Sequence, residues 1–216
     1  MYIVYYYVMI SRKEFLVVSI ILLTSLKGIT QNGGGNTNYH QVKITASSIV
    51  IKGETNVNKF QCKMDQPALN DSIVVKNIWL NQKLEFEGLK LKYRVDHFAC
   101  GIRAMDSDFQ ELLKAEDEPY LYLQLNSITL HPSNDAFEEL DVDAEVEVLL
   151  AGVRKKIQVK GGKVINHSSA QMTLKGDKEL LMTDFNIEPP TKMFGMIKVT
   201  DDIEIEFVIR MKVSSL

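Results

Sequence analysis

Between Leu140 and Leu150 the chain alternates with a period of two. Leu140, Val142, Ala144, Val146 and Val148 are separated by Asp141, Asp143, Glu145 and Glu147. Side chains on a β-strand point to opposite faces in turn, so this run predicts a strand with one face in an apolar interior and the other in water. The same period returns at the C-terminus, where Ile203, Ile205, Phe207, Ile209 and Met211 alternate with mostly polar residues. A chain built from such runs must bring its aliphatic faces together, either as two packed sheets or as one sheet closed on itself.

The intervening sequence continues the pattern. Short β-rich runs are expected at Val42–Thr45, Ser48–Glu54, Val57–Met64 and Ser72–Leu80, with turns at Gln66-Pro67 and Asn70-Asp71. Leu84–Phe98 is the longest candidate, and its apolar parity shifts at Gly88, which predicts a β-bulge. Asp106–Glu116 departs from the period of two. Phe109, Leu112 and Leu113 recur at helical spacing and Ser107 is a candidate cap, so one short helix is expected before Pro119. Tyr120–Leu130 follows as a strand with Leu121, Leu123 and Leu125 on one face, and His131–Asp135 reads as a loop. Gly161-Gly162 and Lys175–Lys178 read as turns, and Leu181–Ile187 as the penultimate strand. About eight or nine strands, one helix and hairpin-length connections define an all-β antiparallel sandwich or barrel.

The 216 residues fit one domain behind a targeting segment. Arg12 and Lys13 form a basic start, and Phe15–Leu26 is an apolar stretch of secretory length. Residues 1–30 are therefore expected to be a signal peptide, with a retained anchor as the alternative. Residues 31–40 are expected to be a flexible polar leader, and residues 41–216 the folded domain. Removing residues 1–30 takes away three cations (Arg12, Lys13, Lys27) and one anion (Glu14), so the net charge moves from −3 to −5. That balance argues against nucleic acid, which calls for a clustered basic face. Cys62 and Cys100 either pair or remain two buried thiols, and a periplasmic or secreted location favours the pair.

Chemistry of the enzymatic kind has no foothold in the sequence. His40, His97, His131 and His167 lack metal-ligand spacing with one another, with cysteine or with carboxylates. The acidic ladder from Asp141 to Glu147 is the solvated side of a strand. No nucleophile elbow occurs, and His167 beside Ser168-Ser169 has no third partner. The expectation is a protein without catalysis, metal or cofactor.

Four segments then fall in an order that resembles the YceI-like family of polyisoprenoid-binding, lipocalin-like barrels. They are Val50–Thr55 as an opening strand; Asn56–Cys62 with His97–Gly101 as a two-cysteine branch; Met105–Ala115 followed by Pro119-Tyr120-Leu121; and Asp184–Val199 with its Pro189-Pro190 and Phe194-Gly195. Where many members carry a His after the opening strand, this chain has Asn58-Lys59-Phe60. The resemblance implies a lipocalin-like barrel of about eight strands with one short helix inserted between them. It also implies a binding protein that shelters a polyprenyl or quinone-type lipid and touches a membrane only transiently. The residues expected to line the lipid channel are Leu89, Leu91, Leu121, Leu123, Leu125, Val142, Val146, Ile203, Ile205 and Phe207, although the same parity serves a packed core. Phe185, Met193 and Phe194 are expected at the edge of the channel, as an adaptable rim or a plug. A filled barrel acting as an interaction module is the alternative.

Overall fold

Each alternating run finds neighbours whose inward residues match its own, and the ladders close into a ring. The computed structural model of the chain describes residues 36–67, 73–80, 83–131, 139–168 and 170–215. The expected signal peptide, the turn at Asn70-Asp71 and the loop after His131 lie outside the described residues. The strands are β1 (Asn36–Thr55), β2 (Lys59–Pro67), β3 (Ile73–Leu80), β4 (Lys83–Glu87) and β5 (Lys90–Arg94), then β6 (Tyr120–His131), β7 (Glu139–Leu150), β8 (Val153–Ser168), β9 (Gln171–Leu181), β10 (Thr191–Lys192) and β11 (Ile197–Ser215). Helix α1 (Arg103–Leu112) lies between β5 and β6, as the sequence predicts.

The ring runs β11-β9-β8-β7-β6-β4-β3-β1, and β1 pairs back onto β11 from His40↔Ser215 to Thr55↔Val199. All these pairs are antiparallel, giving an eight-stranded barrel. The remaining strands are extensions. β3 pairs with the first part of β1 and β2 with its second part, while β4 and β5 share the edge of β6 in the same way. At the upper end, where β1 ends and β11 begins, β2 and β5 thus face each other without a ladder. That seam is bridged by the segment after β5. Lys63 and Ala99 exchange backbone hydrogen bonds of 2.9 and 2.8 Å, and the Cys62–Cys100 disulfide adjoins them.

Bulges account for most departures from the sequence expectations. Gly161-Gly162 is not a turn. The pair lies inside β8, where the register against β7 slips between Val142 and Ala144. Gly161 takes φ +69°, and its N–H donates to Asp143 Oδ1 at 3.0 Å. One extra residue with a left-handed glycine is a β-bulge that bends the strand without ending it. Lys175–Lys178 is likewise not a turn, because the β9–β11 ladder runs unbroken from Leu181 to Gln171. The strand expected at Leu181–Ile187 is not formed: Leu181 ends β9, and Met182–Phe185 form a 3-10 turn. The two runs at 42–54 merge into β1 across a bulge between Ile44 and Ala46, and Asn36–His40, read as part of the leader, begin that strand. Gly88 (φ +93°) splits the expected long strand into β4 and β5. Ser107 lies inside α1 and donates to Arg103 O, so it does not cap the helix; Ile102 holds that position without a side-chain bond.

Candidate functional site

The inward residues do not meet everywhere. Low in the barrel, Val42, Val75, Ile128 and Val142 are buried and fill the centre. Higher up, an internal cavity of about 100 Å³ remains, lined by twenty-four residues of which only Lys178 is not apolar. It reaches from Ile44 to Ile51 along β1, roughly 20 Å of strand at 3.3 Å per residue. About 100 Å³ is several times what one water needs. Apolar walls of this kind make the cavity a slot that favours a hydrocarbon over water.

Nine of the residues singled out in the sequence line this slot: Leu89, Leu91, Leu121, Leu123, Leu125, Val146, Phe185, Ile205 and Phe207. Val142 points inward as expected but is fully buried in the filled part below the slot. Ile203 is buried level with the top of the slot, paired with its lining residue Leu180, and lines an open cleft of about 910 Å³ with Gly53, Phe60 and Met105. Met193 and Phe194 are not at the channel. They sit at the tip of the β10–β11 hairpin with φ +52° and +56°, and Phe194 is fully exposed. A tight turn closed by Gly195 N–H donating to Lys192 O at 3.2 Å turns both side chains outward.

Two glycines shape the wall. Gly176 pairs with Phe207, and the ring lies where a side chain would be; a Cβ there would stand 2.9 Å from Phe207 Cζ. Gly53 pairs with Phe60 in the same way, its Cβ position 2.5 Å from Phe60 Cζ. In each pair the tip of the aromatic ring occupies the space left by the missing side chain opposite it. Gly53↔Ile203 is the next inward-facing pair above Ile51↔Ile205, so the slot and the cleft are neighbours along two strands.

The upper end is closed by short segments tied to one another. Leu113, just past α1, and Phe98 both line the slot, and Phe98 packs on Phe109 with ring centroids 5.3 Å apart. Cys100 N–H donates to Asp106 Oδ1 at 2.6 Å, holding the helix start against the disulfide. Lys192 Nζ bonds Asp108 at 2.7 Å, tying the β10–β11 hairpin to α1. Thr183 donates through its N–H (2.9 Å) and hydroxyl (2.6 Å) to Asp201, and these bonds hold the Asp201 carboxyl below the usual aspartate range. That fixes the 3-10 turn carrying Phe185, which is buried at the top of the slot.

Sequence reasoning missed Ile44, Ile49 and Ile51 on β1, although their inward parity is present once the bulge after Ile44 is allowed for. It also missed Lys178 and Leu180. Leu174, Gly176, Lys178 and Leu180 alternate inward opposite Ile209, Phe207, Ile205 and Ile203, but the Lys-Gly-Asp-Lys sequence reads as a polar turn. Among the described residues there is no grouping of three or more His, Cys, Asp and Glu side chains suited to a metal ion.

No protein-family model and no curated protein matches the chain. Solved structures do match. A polyisoprenoid binding domain from Saccharophagus degradans, described as implicated in plant cell wall breakdown, superposes with a TM-score of 0.54 at 11% identity, over 81% of this chain and 98% of that one. Burkholderia cenocepacia BcnA gives a TM-score of 0.51 at 13% identity, over 78% and 96%. A mutant of the Campylobacter jejuni YCEI protein is a more distant likeness, with a TM-score of 0.44 at 16% identity over 59% and 73%. At such identities the likeness is one of fold. The architecture is the antiparallel lipocalin-like barrel with one short helix that the YceI-like resemblance implies.

Proposed function

We propose that the protein is an extracytoplasmic carrier of the YceI-like kind that holds the tail of an isoprenoid lipid, polyprenyl or quinone-type, without chemically changing it. The observation that carries this reading is the slot, whose walls are apolar but for one lysine. Each methylene moved from water into such a channel gains about 0.8 kcal/mol. A slender prenyl chain suits that space. A quinone ring is broader and would lie toward the adjoining cleft. The fold shared with a polyisoprenoid binding domain supports the ligand class, and the Cys62–Cys100 bridge supports an oxidising compartment.

A second reading, a solid barrel used as an interaction module, draws on the modest volume of the slot. Solvent extraction of protein purified from its own host, followed by mass spectrometry, separates the two. The carrier reading expects a stoichiometric isoprenoid; the module reading expects none.

A further inference from the structure

We propose that Lys178 selects the ligand's head group, so that the slot takes isoprenoids ending in an anionic oxygen group, a phosphate or a carboxylate. This rests on the carrier reading above and narrows it. The inference begins with register. Lys178 pairs with Ile205, between Gly176↔Phe207 and Leu180↔Ile203, on the inward face of β9. Its half-buried side chain lines the slot and is the only charged one among the residues that do.

What sets it apart from the outer-face lysines, only some of which are ion-paired, is this inward position. Lys52 is matched to Glu204 and Glu206, Lys76 to Glu87, and Lys163 to Glu139 and Asp141. Among the described residues, none forms a hydrogen bond or ion pair with Lys178. A leucine or methionine at this inward position would cover the same wall with no charge to desolvate. The Lys178 stem covers the wall, and an ammonium beside an apolar wall binds an anion more strongly than one in open water. The arrangement is complete when the ligand brings the anion: the tail fills the slot and the head meets the ammonium. The plainer role for a lysine here is that its stem covers apolar surface while its ammonium reaches solvent. In that case the head group of the ligand would not matter.

The test uses the delipidated mature protein and three farnesyl ligands that share a tail: the monophosphate, the carboxylate (farnesoic acid) and the neutral alcohol. Affinities are measured by calorimetry for the wild type, Lys178→Met and Lys178→Arg, with inorganic phosphate as a competitor. Thermal melts establish that both variants are folded. The wild type should bind both anions about tenfold more tightly than the alcohol, as expected for one charge-assisted contact. Lys178→Met should lose that margin for both anions and keep the alcohol unchanged, while Lys178→Arg should preserve it. Free phosphate should not compete, because the tail supplies the binding energy. Equal wild-type affinity for anions and alcohol, or an equal change for all three ligands in Lys178→Met, overturns the assignment of Lys178 but leaves the carrier reading intact. Failure of the wild type to bind any of the three overturns both.

Discussion

Two inward-facing residues have effects out of proportion to their size. Gly176 has no side chain, and the space it leaves is where Phe207 lies. Gly176→Ala should push the ring toward the slot and weaken lipid binding, at a stability cost of about 1 kcal/mol, because the displaced atom is the end of a movable side chain. Paired ligand titrations and thermal melts check this, and a variant that binds as the wild type does would refute it. Tyr93 is 1% exposed, and its hydroxyl is buried without a hydrogen-bond partner of good geometry. Burial raises its phenol pKa, and nearby Ser47 offsets this in part. The neutral phenol is thus favoured more in the folded than in the unfolded state, so this contribution is present below the unfolded pKa and is lost as pH rises through the folded value. Denaturant melts above about pH 10 should show stability falling with pH. Tyr93→Phe should flatten that fall and cost nothing at neutral pH, since it removes an unsatisfied group.

At the scale of elements, the decisive arrangement is the seam. β2 and β5 are not laddered to each other, and the bridge across them is the Lys63–Ala99 pair with the Cys62–Cys100 disulfide. The disulfide closes a separation of 38 residues. The chain-entropy model values such a loop at about 4 kcal/mol, so the double variant Cys62→Ala/Cys100→Ala should lose stability of that order in denaturant melts. A loss well below 1 kcal/mol would show that the seam holds without it. Strand positions were legible in the sequence wherever parity ran unbroken, as along Leu121–Leu125 and Leu140–Val148. They were illegible where glycine and charge mimic turn chemistry. Gly161-Gly162 became a bulge because the β7 ladder resumes on both sides of it, and Lys175–Lys178 stayed extended because Phe207 covers Gly176 from the next strand. Both outcomes depend on partners distant in the chain, which local sequence does not contain. The β10–β11 tip was misplaced for a related reason. Met193 and Phe194 are apolar, which suggests an interior, but the turn that joins the two strands directs them outward.

At the scale of the molecule, parity says which side chains face inward but not whether they meet. The same alternation fills the barrel around Val142 and leaves a slot around Val146. The difference lies in which neighbours arrive at each level, through bulges in β1, β6 and β8 and the rings set against Gly53 and Gly176. Paired charges outside and an apolar slot inside fit the proposed carriage of a hydrocarbon tail. Native mass spectrometry of the protein, purified without detergent from its own host, tests that proposal most directly. One isoprenoid lipid per chain, released by organic solvent and lost when Val146→Phe fills the slot, is the predicted result. A wild-type protein that carries no lipid and takes up none when offered polyprenyl or quinone-type lipids would contradict it.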